Sequence, residues 1–128
     1  MNPSLLSIQK AAEGLLFISE SEHPFEIISF DKPAVSMKDY LKIRANKETE
    51  EAEAQTLDYF FRNVVRNGDG NEAGEKTAER FRQLQSILQQ TLTNICVYRI
   101  GSVQVDAFIV GELPDGSYAE LRTLLIET

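Results

Sequence analysis

Two glutamates inside one short polar interruption are the residues of this chain best placed to do chemistry. Ser19-Glu20-Ser21-Glu22-His23 separates the apolar run Leu15-Leu16-Phe17-Ile18 from Pro24-Phe25 and the apolar segment that follows. A buried strand continued through these positions would have to desolvate both carboxylates, so the chain must surface here before Pro24 and Phe25 return it to the core. A carboxylate displayed in this way points at solvent or at a partner, where it can accept hydrogen bonds from guanidinium groups or ligate a hard cation. On the residues alone, a simple polar turn between helix and strand explains the same pattern.

Other chemistries find less support. His23 is the one histidine of the chain, so a histidine-based metal site has no second ligand of its type. Ser19 or Ser21 beside His23 does not make a triad, and no nucleophile-elbow sequence is present. Asp106, Glu112, Glu120 and Glu127 read as outward-facing or strand-edge charges without metal-ligand spacing, and Gly68-Asp69-Gly70 is too short and too acidic to cradle a phosphate. The expectation is a protein with no catalytic residues, no metal of its own and no cofactor. A hydrolase built on Ser19, Glu20 and His23 is the enzymatic alternative.

The elements that must position the acidic loop can be read from periodicity. The chain has 128 residues, 42% of them hydrophobic, enough for one domain over 1–128 with a core that needs no staples. Asn2 as a cap and Pro3 at the first helical position, with Leu5, Ile8, Ala12, Leu15 and Leu16 recurring at spacings close to helical, predict a helix that Gly14 ends. Phe25 to Phe30 reads as a strand. From Ser36 to Thr56 the pattern leaves alternatives open: Met37 to Ile43 fits a short helix or an edge strand, and Lys47 to Glu53 reads as an exposed, solvated charge run. Thr56 caps a helix carrying Leu57, Phe60, Phe61 and Val64. A longer helix over about 72–93 carries the stripe Ala78, Phe81, Leu84, Leu88 and Leu92. Three strands close the chain: Cys96 to Ile100, Val103 to Val110, and Tyr118 to Ile126. Cys96 reads as a buried strand residue. Because Ala107 to Val110 is apolar on both faces, helices are needed on both flanks of the sheet. This element order argues for an α/β fold, a three-layer α/β/α sandwich around a mixed, largely antiparallel sheet, with two-layer α+β folds as alternatives.

Charge and composition narrow the partner. Twenty acidic against thirteen basic residues give a formal net charge of −7, a field that repels nucleic acid and anionic membranes and favours basic partners. A single cysteine excludes an internal disulfide, and no apolar run approaches bilayer length. Met1-Asn2-Pro3-Ser4 lacks the features of a secretory signal, so a cytoplasmic protein is expected.

At this point the motifs gather into a family pattern. Gly-Leu-Leu-Phe-x-Ser-Glu-Ser-Glu-x-Pro-Phe-Glu at 14–26, Val97-Tyr98-Arg99-x-Gly101, Ile109-Val110-Gly111-Glu112 and the closing Glu127-Thr128 together closely resemble the nuclease A inhibitor family of cyanobacteria and other bacteria. The likeness is strongest at both ends and weakest between about 33 and 78. It implies a protein inhibitor of a magnesium-dependent, sugar-non-specific DNA/RNA nuclease, built on an α/β/α sandwich similar to pathogenesis-related type-1 proteins. It also implies that Glu20 enters the nuclease active site near its arginines and that Thr128 reaches the catalytic metal of the partner. Ser19, Ser21 and Glu22 would then be loop contacts. One departure stands out: the family's Trp-bearing loop before the long helix reads Asn67-Gly68-Asp69-Gly70-Asn71-Glu72 here, and the chain contains no Trp. A second function class is therefore an interaction module on the same scaffold that binds a non-nuclease protein.

Overall fold

The computed structural model describes residues 3–18, 21–66 and 72–127. Helix α1 (Pro3–Ala12) buries Ile8 and Ala12, and Gly14 turns the chain out of it with a φ of +76°, a conformation that favours glycine. A hairpin of β1 (Leu16–Ile18) and β2 (Glu22–Pro24) follows, then strand β3 (Glu26–Phe30). Leu16, which could extend the helical spacing, instead opens β1 and is 40% exposed.

The open segment resolves into helix and strand. Met37–Arg44 forms helix α2, capped by Ser36, whose hydroxyl accepts from the Asp39 amide. The expected solvated charge run is corrected at both ends. Ala52–Gln55 forms strand β4, paired antiparallel to the next long strand, and Lys47 reaches Asp106 at 2.8 Å and the Gln104 carbonyl at 2.5 Å. Small alanines at Ala52 and Ala54 supply none of the branched or aromatic signal that marks a strand, because an edge strand needs little side-chain cover. Thr56 caps the single-turn helix α3 (Leu57–Phe60) by accepting from the Tyr59 amide. The long helix α4 (Glu72–Thr91) carries the expected stripe, with Ala78, Phe81, Leu84 and Leu88 buried and Leu92 buried just beyond its end.

Strands β5 (Thr93–Ile100), β6 (Gln104–Glu112) and β7 (Tyr118–Ile126) form an antiparallel meander, and the five-stranded sheet has the order β3-β7-β6-β5-β4. Every pairing among the described residues is antiparallel. Residues of β6 divide by alternation: Val105, Ala107 and Ile109 join a core with α1, α3 and α4, whereas Phe108 and Val110 join a second core with Leu41 of α2. Helical side chains thus meet both faces of the sheet. At the β5–β6 turn Gly101 has a φ of +116°, and a Cβ there would lie 2.3 Å from the Gln104 carbonyl oxygen.

The second core holds charges that the sequence pattern places outside. Asp106 and Glu120 are 8% and 1% exposed, not outward-facing, because the centre of a sheet covered on both sides has no outward face to offer. Their burial is offset by pairing. Arg44 at the end of α2 binds the Glu120 carboxylate, and its guanidinium lies 5.6 to 5.9 Å from the ring centroids of Phe30, Tyr40 and Phe108. Arg122 binds Asp106 at 2.9 Å, and its guanidinium lies 5.1 Å from the Phe108 ring centroid. Cys96, expected to be buried, is half-buried in β5.

Burial pushes the Glu120 carboxyl above its ordinary range, and hydrogen bonding and charge from Arg44 oppose but do not cancel it. A raised carboxyl binds protons more readily in the folded than in the unfolded chain, so its contribution to stability is fullest at low pH and falls as pH rises through the folded value. Urea titrations across the acid to neutral range should therefore show wild-type stability declining relative to Glu120→Gln as pH rises. A relative gain with pH would mean that the Arg44 pairing outweighs burial.

Candidate partner-binding site

The acidic hairpin is rooted in an aromatic cluster. Phe17 of β1 stacks on Phe60 with centroids 4.6 Å apart and planes 8° apart, and meets Phe81 of α4 edge-on at 6.2 Å and 88°. Phe25, just after β2, adds a further edge contact to Phe17 at 6.1 Å. Such contacts add to the burial of the rings themselves, so the base of the hairpin has little freedom relative to α3 and α4. Strand β1 pairs with β2 through Leu16↔Pro24, Phe17↔His23 and Ile18↔Glu22. The last of these pairs closes the hairpin toward its turn.

β2 runs beside β7. Glu26 sits opposite Arg122 in the β3–β7 ladder, and the His23 carbonyl accepts from the Thr123 hydroxyl at 3.3 Å. Because β2 precedes β3 and the pairing is antiparallel, moving from Glu26 back toward Glu22 follows β7 forward from Arg122 toward Ile126. The closing pair of the hairpin and the end of β7 therefore stand at the same end of the sheet. Glu22 is exposed and Ser21 half-buried. Ser19, Glu20 and Thr128 lie outside the described residues, as does the 67–71 segment.

Between the hairpin base and the end of β7 lies a cleft of about 230 Å³, with Phe17, Phe60 and Leu125 beside Arg62, Arg99 and Glu127. Arg99 pairs with Glu127, whose amide donates to the Val103 carbonyl at 2.9 Å. The sequence pattern offers no warning of the Arg99–Glu127 pair, since the partners are distant in the chain and meet only when β5 and β7 flank β6. His23 is half-buried and lines a second cleft, of about 390 Å³, with Glu26, Asp106 and Arg122. Among the described residues, no group of three His, Cys, Asp or Glu side chains is arranged to hold a metal ion. The Tyr98 hydroxyl is pushed up to about 12, first by burial against the second core and then by its hydrogen bond with Cys96. No helix among the described residues is long and apolar enough to cross a membrane.

These features define a mixed α/β protein with a mostly antiparallel sheet and an acidic hairpin held on a rigid base. The chain belongs to the Nuclease A inhibitor-like protein family, NuiA, whose family model matches residues 2–128. A search of curated proteins gives no match. The family is one of nuclease inhibitors, and membership implies a nuclease as the protein partner in general.

Phe17→Ala tests whether the aromatic cluster holds the hairpin. It should cost about 3 kcal/mol of stability in urea denaturation and accelerate amide exchange in β1 and β2 more than in β6. Equal acceleration in all three strands would show that Phe17 serves the global core alone.

Proposed function

We propose that this chain, as one domain over 1–128, is a cytoplasmic bacterial inhibitor of a magnesium-dependent, sugar-non-specific nuclease and has no catalytic activity of its own. The acidic hairpin and the end of the chain occupy the space of a scissile phosphate. Glu20 faces the catalytic arginines of the nuclease, Thr128 supplies oxygen donors to its metal, and Ser19, Ser21 and Glu22 contact the rim. The observation that carries this reading is the course of β2 along β7, which brings the described flanks of both segments to one end of the sheet. Family membership supports the nuclease as partner. Cover by helices on both faces of the sheet supports the α/β/α sandwich similar to pathogenesis-related type-1 proteins.

The physical logic is substrate mimicry by carboxylates. A nuclease site holds a polyanion with guanidinium groups and a hard divalent cation, and carboxylate oxygens satisfy both. The net charge of −7 steers encounter with a basic cleft and raises the association rate more than the final affinity. Absence of Trp from the chain favours a second reading, a module binding a non-nuclease protein, since loss of an aromatic anchor removes a typical interface hot spot.

The test is titration of the purified chain against a magnesium-dependent non-specific nuclease, following DNA degradation at two salt concentrations. Inhibition should form more slowly at high salt. Glu20→Lys and deletion of Thr128 should each weaken inhibition by roughly tenfold or more with thermal stability nearly unchanged. Inhibition unaffected by both changes would place the interface elsewhere, and repeated capture of one unrelated protein from lysate would favour the module.

A further inference from the structure

The polypeptide leaving β7 is held by two contacts of different kinds. The Glu127 amide donates to the Val103 carbonyl at the β5–β6 turn, and the Glu127 carboxylate pairs with Arg99 of β5. The Arg99 side chain is only 18% exposed, and Glu53 of β4 stands 3.9 Å from its guanidinium as a weaker second partner. Arg99 lies opposite Ala107 of β6, which in turn lies opposite Thr123 of β7, so the pair spans the sheet and ties β4, β5 and the exit of β7 together. A single backbone hydrogen bond fixes a point but leaves rotation about it. A side-chain contact added on the same residue fixes a direction as well. The Glu127 side chain is 46% exposed, and an ion pair with one member in water contributes little to global stability, so the arrangement is better suited to aiming the chain than to holding the fold.

We propose that Arg99 is a positioning residue, which clamps Glu127 so that the chain beyond β7 leaves the sheet on the side of the acidic hairpin. Its consequence for inhibition rests on the plug reading given above, whereas the clamp is measurable without any nuclease. Arg62, stacked on Tyr59 with its guanidinium 3.7 Å from the ring centroid, lines the same cleft and keeps that side of Glu127 cationic.

The experiment uses the full chain and Arg99→Met, which keeps the aliphatic stem and removes the charge, with Glu127→Gln as the matching change on the partner. Water-exchange NMR should show the Glu127 amide exchanging roughly fivefold faster in both variants while β6 amides are unchanged. In the nuclease titration, Arg99→Met should weaken inhibition roughly fivefold and add nothing once Thr128 is deleted, and Arg99→Lys should restore part of the loss. Unchanged Glu127 exchange in both variants would overturn the clamp. An equal loss of inhibition with and without Thr128 would overturn the positioning role. If the full chain inhibits no nuclease, faster Glu127 exchange still supports the clamp, and the plug reading alone falls.

Discussion

Phe17 lying flat on Phe60 and edge-on to Phe81 is the contact on which the rest of the site depends. A two-stranded hairpin is marginal in water by itself, and its three-residue strands supply few ladder bonds. What fixes it is the ring at the centre of β1, packed among residues of α3 and α4 that are themselves buried against the sheet. Each large side chain so buried contributes about 2 kcal/mol, and interiors packed to crystal density transmit position as well as stability. In the proposed function, carboxylates carried next to such a base bind without first having to order its root, which lowers the entropic cost of binding.

Strand β7 is the second structural constraint. It is hydrogen-bonded to β6 on one side and β3 on the other, and β2 passes beside it through the Thr123 hydroxyl contact. Segments from the first quarter and the last tenth of the chain thereby share one end of the sheet. The α2 side of the same strand carries Glu120 and Arg122, whose charges are tolerated because Arg44 and Asp106 answer them and the rings of Phe30, Tyr40 and Phe108 enclose the cations. Removing one member of such a buried pair leaves the other uncompensated, which is more costly than never having had the pair. Through Glu120, Arg44 ties α2 to the sheet.

In the proposed mode of action, one side of the sheet supplies rigidity and one end supplies the acidic contacts. Acidic groups elsewhere on the surface serve encounter, since their field acts over about 10 Å at moderate salt and needs no fixed geometry. Contact at the partner's active site is different. A carboxylate replacing a phosphate must sit at hydrogen-bond distance from its donors, a tolerance that a stacked ring and a clamped backbone can meet.

Local chemistry made much of this legible from the amino acids. Thr56 caps the single helical turn that follows it, Gly14 turns the chain out of α1, and the stripe from Ala78 to Leu92 buries the face that its spacing defines. The three closing strands follow from their branched and aromatic runs, and the family from motifs at both ends of the chain. Where the reading failed, the missing information was non-local. Ala52–Gln55 is a strand because the free edge of β5 pairs with it, not because alanine and glutamate favour one. Lys47 is paired, and Asp106 and Glu120 are paired and buried, because that face of the sheet carries the second core with α2. The Thr56 cap, the glycine after α1, the apolar stripe of α4 and the three closing strands were legible in the amino acids alone, since such signals act within a few residues, whereas β1, β2 and β4 were not. Only the tertiary structure decided which charges are buried and that β2 follows β7 to its end, because those outcomes depend on which distant surfaces exclude water from one another.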